Sequence, residues 1–205
     1  MEAPADEGAA GARGGRWDRR RTIGAVAGGV LVAGVIALLV VGFVNRDVGT
    51  SIQDALDEGE RPDAPSFTAP VLLAADGIGP AGSEVSLEDL RGRTVVLNFW
   101  ASWCEPCERE APILNEVAGR YRGGDAAPLV LGLDVQDLSE KALGFARDFG
   151  ISYPSLREAG DAAYRDYQLT GLPETFVIDP EGRIALKVVG EITDPAQLTT
   201  AIDQL

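Results

Sequence analysis

The sequence predicts an α/β domain, a mixed sheet flanked by helices on both faces, carried behind one transmembrane helix. Three observations predict it. Residues 23–44 run for 22 positions without a charge. From Thr94 onward, β-branched and aromatic runs alternate with stretches of helical character. The only two cysteines of the 205-residue chain, Cys104 and Cys107, stand three apart where the first of those runs gives way to a helix.

Residues 1–22 are rich in Ala, Gly and Arg and show no apolar periodicity, so a disordered tail is expected. The apolar stretch 23–44 reaches about 33 Å as a helix, enough to cross a hydrocarbon core. Arg13, Arg16, Arg19, Arg20 and Arg21 crowd its N-terminal side, whereas Arg46 and Asp47 nearly cancel on the other. The positive-inside rule then places the N-terminus in the cytoplasm and everything after Asn45 outside. A cleaved signal peptide is the competing reading. The stretch exceeds the usual h-region of about 7–15 residues, and no small-x-small cleavage site follows Val44. An uncleaved signal-anchor in the cytoplasmic membrane, single-pass, with an extracytoplasmic domain, is therefore the expectation. Residues 45–64 read as a polar linker ending at Pro62 and Pro65; Ser51 to Glu58 has helical character but no evident core to join. Residues 65–205 suffice for one α/β domain.

Within that domain, Phe67 to Leu73 and Glu84 to Arg93 read as strands ahead of the main sheet. Thr94 to Trp100 is a strand buried on both faces. Ala101-Ser102-Trp103 turns out of it, and a helix runs from near Cys104 to about Tyr121, with Pro106 tolerated in its first turn and Pro112 predicted to kink it. Ala127 to Val135 is a second buried strand, and Ser139 to Phe149 a helix ending at Gly150. Tyr153 to Arg157 is a short extended segment and Asp161 to Tyr167 a short helix. Glu174 to Asp179 and Arg183 to Gly190 form a hairpin around Asp179-Pro180-Glu181-Gly182. Asp194 caps a closing helix with Pro195 at its first position.

Composition narrows the chemistry. The chain carries a net charge of −14, of which the tail before Ile23 contributes +1, so the ectodomain is strongly acidic and unsuited to nucleic acid. The chain has no histidine. That excludes Ser-His and Cys-His catalysis, histidine metal sites and self-attachment of haem. No glycine-rich phosphate loop appears, so no nucleotide, flavin or other cofactor is expected, nor a resident metal. Two thiolates alone suit Cu(I), which keeps a copper-delivery module as a reading of another class.

A bridge between Cys104 and Cys107 closes almost no loop and constrains the unfolded chain little, so it is a poor structural staple. Its use is to open and close. A thiolate at a helix N-terminus is favoured by the positive end of the helix dipole, which readies it for attack.

Val95-Val-Leu-Asn-Phe-Trp-Ala-Ser-Trp-Cys-Glu-Pro-Cys107 followed by Gly171-Leu-Pro-Glu-Thr-Phe-Val-Ile-Asp179 resembles the thioredoxin superfamily. More narrowly, it resembles the membrane-anchored TlpA/ResA/CcmG(DsbE)-like thiol–disulfide oxidoreductases of bacterial cytochrome c maturation, over about residues 65–205. The resemblance implies a thioredoxin-like sheet with extra N-terminal strands. It implies Cys104 as attacking thiolate and Cys107 as the resolving thiol of a redox-active disulfide. It further implies that Pro173 is cis and faces that disulfide, with Leu172 offering backbone to an incoming peptide and Glu174 shaping partner recognition. Trp103, Glu105 and Pro106 complete the expected partner-binding surface, Glu105 opposing thiolate formation by its charge.

Two departures from ordinary thioredoxins are informative. Asn98 stands where thioredoxins carry a buried, titrating aspartate. Glu110, three residues after Cys107, matches the helix glutamate of the ResA-like group, implicated in tuning the cysteine pair. Partly buried, it would have a raised pKa and could accept the inner thiol's proton; a solvent-facing glutamate is the competing reading.

The leading expectation is an extracytoplasmic reductant of the haem-binding cysteines of apocytochrome c, re-reduced by a membrane thiol–disulfide donor of CcdA/DsbD type. A general disulfide reductase shares the same chemistry. A peroxiredoxin-like peroxidase shares the EVSLEDLRGR entry, but its Thr/Ser-x-x-Cys context is not reproduced around Cys104.

Overall fold

The computed structural model describes residues 29–30, 32–37, 51–75, 77–124 and 126–205. The chain divides into two units, Met1–Gly49 and Thr50–Leu205. In the first, residues 29–30 and 32–37 are helical (α1). No helix among the described residues is long and apolar enough to cross a membrane. The predicted tail 1–22, most of the predicted span 23–44 and the first part of the predicted linker lie outside the described residues.

The second unit is a seven-stranded mixed sheet in the order β2-β1-β5-β4-β3-β6-β7. Its strands are β1 (Thr68–Leu73), β2 (Glu84–Ser86), β3 (Val95–Trp100), β4 (Leu129–Asp134), β5 (Ser155–Arg157), β6 (Glu174–Ile178) and β7 (Ile184–Val189). Its helices are α2 (Ile52–Asp57), α3 (Glu105–Arg120), α4 (Ser139–Asp148), α5 (Ala162–Asp166) and α6 (Ala196–Ile202). β3, β4 and β5 are parallel, and the flanking pairs are antiparallel. Every residue of β3 and β4 is buried, which is what their unbroken apolar runs require of central strands.

The crossovers β3–α3–β4 and β4–α4–β5 step the same way across the sheet, so right-handed connection puts both helices on one face. There Leu114 of α3 and Phe145 of α4 join Leu198 of α6, Val96, Trp100 and both cysteines in one core cluster. The return step from β5 to β6 puts α5 on the opposite face, where Tyr167 packs against Phe99 and Phe176 with ring centroids 5.0 Å away in each case. α3 continues through Pro112 as one helix. α4 stops at Gly150, whose φ of +65° lets Ile151 N–H close back on the Ala146 carbonyl at 2.9 Å.

Three expectations need correction. Residues 51–64 are not a free linker. Ile52 and Ala55 of α2 are buried, Ile52 N–H donates to Gln168 Oε1 at 3.1 Å, and Ala64 N–H and the Pro62 carbonyl bond to the β6–β7 hairpin at 2.9 and 2.8 Å. The apolar positions of α2 are only three, Ile52, Ala55 and Leu56, too few to announce a core in the sequence. Second, the strand expected over 84–93 is short, because Glu88–Leu90 coils into a 3₁₀ turn that buries Leu90. Third, α6 begins one residue late: Pro195 occupies the cap position, and Asp194 Oδ1 accepts from Ala196 N–H at 2.9 Å.

Candidate active site

Sheet topology delivers four loops to one end of the molecule. β3 and β4 run parallel, so Trp100 and Asp134 end side by side. β6 runs antiparallel to β3 and begins at Glu174 opposite Phe99, which brings Pro173 to the same end. β7 returns beside β6, and Gly190 N–H donates to the Pro173 carbonyl at 2.9 Å. The Leu172–Pro173 peptide is cis, as the resemblance implied.

Cys104 and Cys107 are joined in a disulfide with Cα atoms 5.3 Å apart. Cys104 is the N-cap of α3, and its Sγ accepts from the Cys107 N–H at 3.2 Å, so the sulfur that would carry negative charge already faces a helix-terminal donor. In this oxidised form the two sulfurs are equally covered, Cys104 being 3% and Cys107 2% exposed. Burial therefore does not distinguish the two cysteines while the bridge is closed. Their roles rest on position along the helix.

Trp103 is 59% exposed and tethered by its indole N–H to the Gln136 carbonyl at 3.0 Å, which places it on the surface as expected. Trp100 is core, stacked on Phe145 at 5.1 Å. Glu105 is exposed and ion-paired with Arg109 at 2.9 Å, and Arg109 also pairs with Glu191 at 2.8 Å. The Glu105 charge beside Cys104 is thus partly offset by its own neighbour one turn on. Pro106 is half-buried in the first turn, and Leu172 is half-buried against both core clusters.

Glu110 is only 1% exposed, which removes the solvent-facing reading. Its Oε1 accepts from Asn98 Nδ2 at 2.8 Å and its Oε2 from Ile192 N–H at 3.1 Å. Burial pushes its carboxyl up to about 7, against the pull of those two hydrogen bonds, and the Glu191 charge adds to the rise. A buried carboxyl that titrates near neutrality lies one helical turn from the inner cysteine, suited to holding a thiol proton.

Glu174 does not meet the expectation of a partner contact. It is fully buried. Its Oε1 accepts from Thr170 N–H and hydroxyl, both at 2.7 Å, and from Gly171 N–H at 3.3 Å, while Oε2 pairs with the buried Lys187 Nζ at 3.0 Å. These bonds tie it to the 170–171 loop that leads into the cis Leu172–Pro173 peptide. Both faces of the sheet are covered along β6, every residue of which is buried, so its first side chain lies inside the protein.

Sequence reasoning missed Asp134, fully buried at the end of β4. Burial, with the nearby Asp137 charge, pushes its carboxyl up to about 8 against the pull of Arg157. The available signal was a carboxylate closing an otherwise apolar strand, Leu129 to Val135.

Residues 61–187 match the AhpC/TSA family. The chain is 30% identical over 163 residues to the thiol–disulfide oxidoreductase ResA of Bacillus cereus (strain ATCC 10987 / NRS 248), covering 78% of this chain and 87% of that protein. It is 34% identical over 112 residues to ResA of Bacillus thuringiensis (strain Al Hakam), a match covering 55% of this chain and 64% of that protein, just under two thirds of its length. Among solved structures it resembles a DsbF homologue from Corynebacterium diphtheriae (33% identity, TM-score 0.59, 73% of this chain and 90% of that one). It also resembles a putative thiol:disulfide interchange protein DsbE from Chlorobium tepidum (26% identity, TM-score 0.61, 70% and 95%). With the disulfide at the head of α3 and the cis proline opposite β3, the chain belongs to the AhpC/TSA family, in its thioredoxin-like branch of TlpA/ResA/CcmG-like thiol–disulfide oxidoreductases.

Proposed function

We propose that the chain is an extracytoplasmic thiol–disulfide oxidoreductase, anchored by residues 23–44, that reduces the haem-binding cysteines of apocytochrome c. The observation that carries the reading is the Cys104–Cys107 disulfide at the N-terminus of α3 with the buried Glu110 one turn behind it. In the reduced protein the Cys104 thiolate attacks one sulfur of the partner's disulfide. A Cys104–partner bond forms, and the partner's other sulfur leaves as a thiolate and takes a proton. Cys107 gives its proton to Glu110 and attacks Cys104 Sγ, which closes the Cys104–Cys107 bridge and releases the partner's second sulfur as a thiol. Two electrons have moved to the partner; of the two protons it takes up, one comes from Cys107 by way of Glu110 and the other from the solvent that received it when Cys104 ionised. A dithiol of a membrane donor of CcdA/DsbD type restores the reduced pair by the same exchange in reverse.

The direction of flow follows from compartment and charge. Outside the membrane an oxidising environment closes unprotected cysteine pairs, whereas haem attachment requires them open. The buried Glu110 and the exposed Glu105 disfavour a strongly stabilised Cys104 thiolate, the property that makes a powerful oxidant. The test is the equilibrium potential of the full chain in a dithiothreitol or glutathione series. A value near the thioredoxin end, about −270 mV, is expected, and one near the DsbA end, about −120 mV, overturns the assignment as reductant. Protease protection of the N-terminal tail in sealed inner-membrane vesicles tests the topology.

A further inference from the structure

The exchange reaction leaves Asp134 unused, although it lies on the cysteine face of the sheet. Alternation along β3 and β4 puts Val96, Trp100 and Val130 in the core cluster that holds Cys104 and Cys107, and Asp134 follows Val130 on that same face. Asp134 stands in register with Trp100 on β3 and with Arg157 on β5. Among the described residues neither of its carboxylate oxygens accepts a hydrogen bond. Two charged side chains act on it: Arg157, whose Nε lies 3.5 Å from Oδ2, and Asp137, which opposes its ionisation.

Burying such a pair is a poor device for stability, since desolvating the two groups costs about as much as their attraction returns. What it does provide is a fixed attachment point. The same guanidinium donates through Nη2 to the backbone carbonyl of Asp137. The Asp137 carboxylate accepts from Ser102 N–H at 2.5 Å, from the Ser102 hydroxyl at 2.9 Å and from Leu138 N–H at 2.7 Å. Gln136, held at a φ of +53°, offers its carbonyl to the Trp103 indole. Cys104 is the next residue. An unbroken set of contacts thus runs from a buried carboxylate to the loop that delivers the attacking sulfur.

We propose that Asp134 and Arg157 are positioning residues for the cysteine pair: their contact anchors loop 136–138, and that loop holds Ser102 and Trp103 ahead of Cys104. The inference rests on the reading of the pair as exchange-active. It differs from a simple through-space effect of the Asp134 carboxyl, because an effect transmitted through the loop must depend on Ser102.

A double-mutant cycle separates the two. The full chain is equilibrated with reduced and oxidised glutathione, and the disulfide fraction is read by alkylation, for the wild type, Asp134→Asn, Ser102→Ala and the double variant. Each single substitution should change the equilibrium constant by at least about threefold, and the double variant by clearly less than the product of the two. A folded Asp134→Asn protein with the wild-type constant overturns the inference, as does a double variant whose change equals the product. If Asp134→Asn does not unfold cooperatively, Arg157→Lys takes its place under the same criteria, since lysine keeps the charge but cannot serve Asp134 and the Asp137 carbonyl in the same fork. A wild-type disulfide that does not exchange with glutathione defeats the reading of the site and the inference with it; an exchanging wild type with unchanged variants defeats the inference alone.

Discussion

Asn98 gives one amide hydrogen to Glu110 Oε1 at 2.8 Å and the other to Thr175 Oγ1 at 3.0 Å, linking the central strand, the cysteine helix and the start of β6 in one buried polar contact. The non-titrating Asn98 is therefore a donor that orients a titrating carboxylate, and the proton site has moved from the strand to the helix. Asn98 Oδ1 has no hydrogen bond among the described residues, so the amide is free to present its other end when its neighbour changes.

That freedom predicts that Glu110→Gln folds. With the Asn98 amide turned over, the introduced glutamine can donate to Asn98 Oδ1 and still accept from Ile192 N–H. In the reduced protein the variant should lose the titration near pH 7 from the pH profile of thiol alkylation. Identical profiles for the variant and the wild type would remove Glu110 from the proton route.

The same carboxyl makes a stability prediction. Folding raises it from an ordinary 4.5 to about 7, so its protonated form is favoured in the folded state. Its contribution is complete below about pH 4.5 and is lost as pH rises through 7, on the order of 3 kcal/mol in total. Denaturant unfolding should show the wild type losing stability relative to Glu110→Gln between those pH values. A difference that is flat across this window contradicts the raised pKa.

Cys107→Ser should leave Cys104 able to form mixed disulfides but unable to resolve them. After reduction of the wild type, Cys104 should be the only rapidly alkylated thiol. Trapping through Cys107 in a Cys104→Ser variant, at the rate seen for Cys104, would reverse the assignment of roles.

Lys187 and Glu174 form a buried pair at 3.0 Å, with the ammonium also 5.4 Å from the Phe176 ring. Lys187→Met strands the carboxylate and should cost about 3–5 kcal/mol in urea unfolding. A loss below about 1 kcal/mol would mean that the Thr170 and Gly171 bonds suffice to hold Glu174.

Gly132 sits where an added Cβ would lie 2.5 Å from Ser155 Oγ and 2.7 Å from Trp100 Nε1. Both groups are buried, so neither can swing into solvent. Gly132→Ala should destabilise the domain by about 1–3 kcal/mol through overpacking. Thermal unfolding measures it directly, and an unchanged midpoint would show that Trp100 can shift without loss.

Strands β3 and β6, the start of α3 at Cys104, the turn at Asp179–Gly182 and the cis bond before Pro173 were all legible in the sequence, the last through resemblance alone. The first four are decided by neighbours a few residues apart: an unbroken apolar run, a proline in a first helical turn, a turn-forming tetrapeptide. The tertiary structure alone decided the fate of the polar side chains. Glu110 is buried because Asn98 and Ile192, 12 and 82 positions away in the chain, close over it. Glu174 turned inward because β7 supplies Lys187, and α2 found a core because Gln168 and the hairpin wait beneath it. Asp134 met Arg157 only when β4 and β5 paired. Local pattern sets backbone conformation and which side of an element is apolar. The cost of burying a charge depends on which distant groups arrive to meet it, and only the folded chain brings them there.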